Sequence, residues 1–189
     1  PTEELAHPGR LTEAILDDST HDTGETMTEK AEPTKMQVAA GKAIKTAKTA
    51  TTLAKAHLAR ESNKHGGRWH WVDFPGPNGR ESAGIVDILA IRKRWELSAG
   101  PEFEKLKHLD LFDIMLIQVK GGGAPIPTAE DIVRMEVVAD HYQACNVLLY
   151  QWNEKDKRAT GFRVLNRDTH QFGDLVTDGS KVFGKVLGG

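Results

Sequence analysis

The chain reads as an α/β fold with a mixed β-sheet flanked by helices. Apolar runs rich in β-branched residues at 84–91 and 113–120, and a near-continuous apolar run at 146–152, have strand length, while 36–60 and 129–144 show apolar recurrence at helical spacing. The strand at 113–120, the second helix and the strand at 146–152 follow one another. That succession implies a right-handed crossover that leaves the two strands parallel.

Residues 1–35 are set apart by composition, with Pro1, Pro8 and Pro33 among many Thr, Asp and Glu, and few large apolar residues outside 11–16. Such a stretch buries too little apolar surface to offset the entropy of ordering it, so a mobile acidic N-terminal arm is expected. From 36 to 60 the chain turns to Ala, Lys and Thr without Pro, and Ala40, Ile44, Ala47, Thr51, Ala54 and Leu58 recur at spacings of three and four. Lys42, Lys45, Lys48 and Lys55 fall mostly off that stripe. They form either a solvated face or a basic rail for phosphates, extended by Arg60, Lys64 and Arg68.

The Gly-rich segment 63–67 ends this helix. Residues 68–72 alternate as a strand, with Trp69 and Trp71 on one face for core packing or base stacking. A Pro- and Gly-rich turn over 74–79 leads into the run at 84–91, so a hairpin is expected, with Arg80 and Glu81 at the loop edge. Residues 92–110 are charged, contain Pro101 and read as an excursion with a helical turn at 102–107. After the strand at 113–120, residues 121–127 form a loop, and Thr128 is placed as N-cap with Asp131 three residues on. The helix that follows carries Ile132, Met135, Val138 and Tyr142 on one face. Residues 161–165 read as an edge strand and 166–189 as a Gly-rich C-terminal extension. There Asp168, His170, Asp174 and Asp178 repeat no ligand spacing and are expected on a surface loop. His65, His70, His108 and His141 are scattered, and Cys145 is expected to be buried.

A net charge of -2 rules out an argument from bulk electrostatics, so any nucleic acid must be attracted by a local basic patch. The single cysteine allows no intramolecular disulfide and fits a reducing compartment, and there is no apolar run near 18 residues. A cytoplasmic protein with no membrane segment is expected.

The functional signal lies in polar residues inside the apolar runs. Gln118 and Lys120 are two apart, so on a strand they share a face with Ile114 and Leu116, while Ile117 and Val119 take the other. An ammonium beside buried aliphatics is unfavourable unless an anion or ligand compensates it, and Asp87, inside the run at 84–91, is the natural compensator. If the two runs pair, a carboxylate, an amide oxygen and an ammonium converge. Such a patch can hold a hard divalent cation through oxygens and leave the lysine for a phosphate or a water. The structural alternative is a buried Asp87–Lys120 ion pair, although such pairs seldom offset their own desolvation.

Ile85-Val86-Asp87 and Gln118-Val119-Lys120 resemble the two halves of the PD-(D/E)XK motif. The order helix, three strands, helix, strand also resembles the core of the PD-(D/E)XK nuclease superfamily, the restriction-endonuclease-like fold of restriction enzymes and Holliday junction resolvases. The resemblance covers roughly residues 36–152. Val86 stands in place of the proline and Gln118 in place of the acid, a Gln-x-Lys form similar to that of the Mrr-like branch. The resemblance implies a restriction-endonuclease-like α-β-β-β-α-β core within a nuclease-like domain at 36–165, acting as a Mg²⁺- or Mn²⁺-dependent DNA endonuclease. Asp87 would be the principal metal ligand, Gln118 would lend its side-chain oxygen and Val119 its carbonyl, and Lys120 would stabilise charge on the attacked phosphate. With Gln118 neutral, metal affinity should be weaker than with two carboxylates. Resolvase-like members carry a further acid on the first helix. Residues 51–56 contain none, so Glu81 is the expected substitute, with His57 as the second choice.

Lys45, Lys48, Lys55, Arg68 and Arg80 are the expected nucleic-acid contacts. Double-strand cutting by one site per chain would favour a homodimer. The rival expectation is a non-catalytic nucleic-acid-binding or assembly protein that keeps the fold.

Overall fold

The computed structural model describes residues 32, 34–65, 68–74, 84–94, 101 and 104–183. The expected N-terminal arm falls almost entirely outside them, as do Arg80, Glu81 and most of the 74–79 turn.

Helix α1 (Lys35–Lys64) starts at a capping box. Thr34 Oγ1 accepts from the Gln37 N–H, and Gln37 Oε1 accepts from the Thr34 N–H at 2.7 Å, so two donors that the helix cannot pair are satisfied. Strands β1 (His70–Asp73), β2 (Ile88–Lys93) and β3 (Phe112–Gly121) follow, then α2 (Ala129–His141) and β4 (Asn146–Trp152). Strands β5 (Gly161–Asn166) and β6 (Gln171–Phe172) and the short α3 (Ser180–Phe183) complete the order. The six strands form one mixed sheet in sequence order, with β3 and β4 parallel and every other neighbouring pair antiparallel. The expected hairpin and parallel crossover are both present.

Each face of the sheet has its own core. On one, Ala50, Ala54 and Leu58 of α1 cluster with Ile88, Ile117 and Tyr150, and Trp69 and Trp71 join them. On the other, Ile132, Met135 and Ala139 of α2 cluster with Leu116, Val147 and Leu165. Odd-numbered residues of β3 therefore face α1 and even-numbered ones face α2. A Cβ on Gly121 would lie 2.7 Å from Ala50 Cβ, so glycine is what lets α1 seat over the end of β3.

Several elements differ from expectation for identifiable reasons. The buried seam of α1 is Ala50, Ala54, Leu58, Glu61 and Ser62, whereas Ala40 is exposed along with the rest of residues 35–43. Helix α2 stops at His141, and Gln143 takes a φ of 50°. Tyr142 is therefore a C-cap, 56% exposed, instead of a core contact. Strand β5 is not an edge, because β6 pairs with it and Phe162 forms an isolated bridge to Val176. The stretch after residue 165 also reaches the core, since Val182 and Phe183 are buried beside the tryptophans. Cys145 is exposed. In the 102–107 excursion, residues 104–105 form a turn. Among the described residues, no helix is long and apolar enough to cross a membrane.

Candidate active site

Asp87 lies immediately before β2 instead of within it. The antiparallel register ends at Ile88 and Ile117, and Asp87 departs from it, with its N–H turned toward β3 and its carbonyl toward β1. The Asp87 N–H donates to the Ile117 carbonyl at 3.0 Å, and the Asp87 carbonyl accepts from the Phe74 N–H. Where the next backbone bond of the ladder would fall, the side chain takes over: Asp87 Oδ2 accepts from the Val119 N–H at 2.6 Å. The carboxylate is thus set between the two strands. Backbone groups of alternate residues point the same way along a strand, so the Val119 carbonyl faces the β2 side together with its N–H.

Gln118 and Lys120 share the α2 face, as their two-residue spacing requires. Gln118 is only 6% exposed, and its Oε1 is buried without a hydrogen-bond partner. An orphaned buried acceptor costs about 1–3 kcal/mol, and among the described residues Trp69 Nε1, in the opposite core, is the other buried side-chain polar atom without a partner. Lys120 is half-buried. Above it, Asp131 closes the α2 capping box by accepting from the Thr128 N–H and Oγ1. Those bonds hold the Asp131 carboxyl below its usual range, and the positive charge of Lys120 adds to the effect.

Gln151 on β4 is the register partner of Lys120, and Leu149 that of Gln118. Leu149 in turn pairs with Arg163 on β5. Arg163 donates from Nε to Gln151 Oε1 and from Nη1 to the Gly173 carbonyl at 2.8 Å.

The other expected contacts are spread more widely. Lys45 and Lys48 are exposed on α1, which covers the sheet face opposite Gln118 and Lys120. Lys55 is not part of an open rail, because it donates to Asp73 Oδ2 at 2.8 Å and pulls that carboxyl below its usual range. Arg68 is exposed just ahead of β1. His57 does not substitute for the missing acid. Its ring packs on Phe162 and Tyr150, at 4.5 and 5.9 Å, on the α1 side, and burial lowers its pKa. Glu81 and Arg80 lie outside the described residues.

One cluster has no counterpart in the sequence reading. Ligand atoms of Glu61, His65 and Asp178 lie within 4.8 Å of one another, so His65 is not an isolated histidine. The i, i+4 spacing of Glu61 and His65 was the available signal, but Asp178 comes from more than 100 residues away. Glu61 is 3% exposed, yet its carboxylate already accepts from Lys64 Nζ at 2.9 Å, Arg60 Nε at 3.1 Å and the Gly179 N–H at 3.3 Å. Burial pushes its pKa up, and these bonds outweigh burial and bring it down to about 2. Every donor around Glu61 is internal, which fits a staple holding the C-terminal segment to α1.

No protein-family model, no curated protein and no solved structure matches the chain.

Proposed function

We propose that this chain is a divalent-metal-dependent DNA endonuclease of the PD-(D/E)XK type, with a restriction-endonuclease-like core. The observation that carries this reading is Gln118 Oε1: a buried acceptor without a donor, on the strand beside Asp87 and two residues from Lys120. A cation would satisfy such an acceptor beside a carboxylate, as a bound water also would, and the Asp87 and Gln118 side chains with the Val119 carbonyl would supply an all-oxygen donor set suited to Mg²⁺ or Mn²⁺. When bound, the ion supplies Lewis-acid polarisation of a phosphodiester oxygen and lowers the pKa of a bound water.

The protein's own groups divide the remaining work. The Val119 N–H fixes the Asp87 carboxylate between the strands. Lys120 brings an ammonium to the same face, where it stabilises negative charge growing on the attacked phosphate. A neutral Gln118 makes the site one charge poorer than a two-carboxylate site, so millimolar metal and a preference for Mn²⁺ over Mg²⁺ are expected.

A second reading, a non-catalytic nucleic-acid-binding or assembly protein, is supported by the same neutral Gln118 and by the absence of an acid at 51–56. Incubation with plasmid and branched DNA in Mg²⁺, Mn²⁺ or EDTA separates the two. The endonuclease cleaves with metal, stops in EDTA, and as Lys120→Ala loses cleavage while still binding DNA with one phosphate contact fewer. Binding without cleavage at any metal concentration would favour the second reading.

A further inference from the structure

We infer that Arg163 is a second phosphate contact of this site, seated to take a DNA phosphodiester adjacent to the one at Lys120. The inference rests on the nucleic-acid reading above and extends it to a residue that no motif marks.

Register places Arg163 in one cross-strand row with Leu149 and Gln118, on the α2 face that they share. From β3 to β5 is two strand spacings, about 10 Å. The Arg163 side chain leans back toward Lys120, because its Nε is held by Gln151, the register partner of Lys120.

The partners of Arg163 set it apart from the five arginines that pair with carboxylates, and its two side-chain bonds set it apart from the exposed Arg68 and Arg158. Arg60 pairs with Glu61, Arg92 and Arg94 with Asp113, Arg134 with Asp131, and Arg167 with Asp140. Arg163 is bonded instead to an amide oxygen and a backbone carbonyl, and among the described residues no carboxylate pairs with it. Two neutral acceptors fix the orientation of the guanidinium without cancelling its charge. A half-buried, oriented and uncompensated guanidinium is the arrangement that binds phosphate in a defined geometry. A purely structural tie between β4, β5 and the Gly173 loop would be stronger with an acid at position 151, where the chain has Gln.

The test is DNA binding by the full chain in EDTA, which keeps cleavage out of the measurement, with a fluorescent duplex titrated across salt concentrations. Arg163→Gln should lower affinity about tenfold and reduce the slope of log K against log salt by about 1, and Arg163→Lys should restore the slope. Gln151→Glu leaves the arginine in place and gives it a counter-charge. It should weaken DNA binding while holding or raising the melting temperature. Wild-type affinity and slope in both Arg163→Gln and Gln151→Glu would overturn the inference, even for a chain that cleaves DNA. A chain that does not cleave but shows the slope change would keep the inference and remove the nuclease reading.

Discussion

Gln118 on β3 and Glu61 on α1 are both buried polar side chains in the same sheet-and-helix body, and they differ in charge and in how their burial is met. Glu61 has a charge but also three donors, so its burial is neutralised from within. Gln118 has no charge to compensate, yet its oxygen has no donor at all. A saturated buried group is explained by the fold. An unsaturated one is open to a ligand, and under the proposed function the neighbouring Asp87 makes that ligand a cation. Burial of a polar residue is therefore a poor marker of function by itself, and the account of its hydrogen bonds is the better one.

Substitutions can break this contrast, beginning with the largest effect. Asp87→Asn should reduce metal-dependent cleavage by about 10³-fold or more, read from plasmid nicking rates, while the far-UV CD spectrum stays that of the wild type. Glu61→Gln should leave cleavage per folded molecule unchanged but destabilise the fold. With its pKa down to about 2 from an ordinary 4.5, the Glu61 carboxylate contributes on the order of 3 kcal/mol at neutral pH. Because the folded pKa is the lower one, that contribution is complete above the ordinary pKa and fades as pH falls from 4.5 toward 2. The gap between wild type and Glu61→Gln in denaturant midpoint should therefore narrow between pH 7 and pH 3.

Gln118→Met should do the reverse of Glu61→Gln. It removes an orphaned acceptor at nearly constant volume, so it should raise stability by about 1 kcal/mol while cleavage is lost. Lys55→Ala breaks only a part-exposed pair with Asp73 and should cost less than about 1 kcal/mol in the same denaturation assay.

The sequence discloses the site better than it discloses the staple, for a physical reason. The Gln118 and Lys120 spacing fixes a shared face on any strand, and an Asp inside the neighbouring apolar run can meet them once those two strands pair. Local periodicity carries that much. It does not carry the position of Asp87 just ahead of β2, where its side chain replaces a backbone acceptor in the ladder. Glu61 and Gly179 are 118 residues apart, and the closeness of their contact shows only in space: a Cβ on Gly179 would sit 2.5 Å from Glu61 Cβ. Arg163 was hidden for a related reason. Its link to Lys120 passes through the β3–β4 and β4–β5 registers, which strand composition does not determine. The exposed half of α1 is similar, since its apolar recurrence extends beyond the residues that the sheet covers.

Metal binding by wild type and Gln118→Met, followed by thermal denaturation in rising Mn²⁺ with EDTA as the blank, tests the central claim most directly. The wild type should gain melting temperature in a saturable way and the methionine variant should gain none, although it begins the more stable of the two. Equal gains in both proteins, or no gain in the wild type at millimolar Mn²⁺, would contradict a cation seated on Gln118.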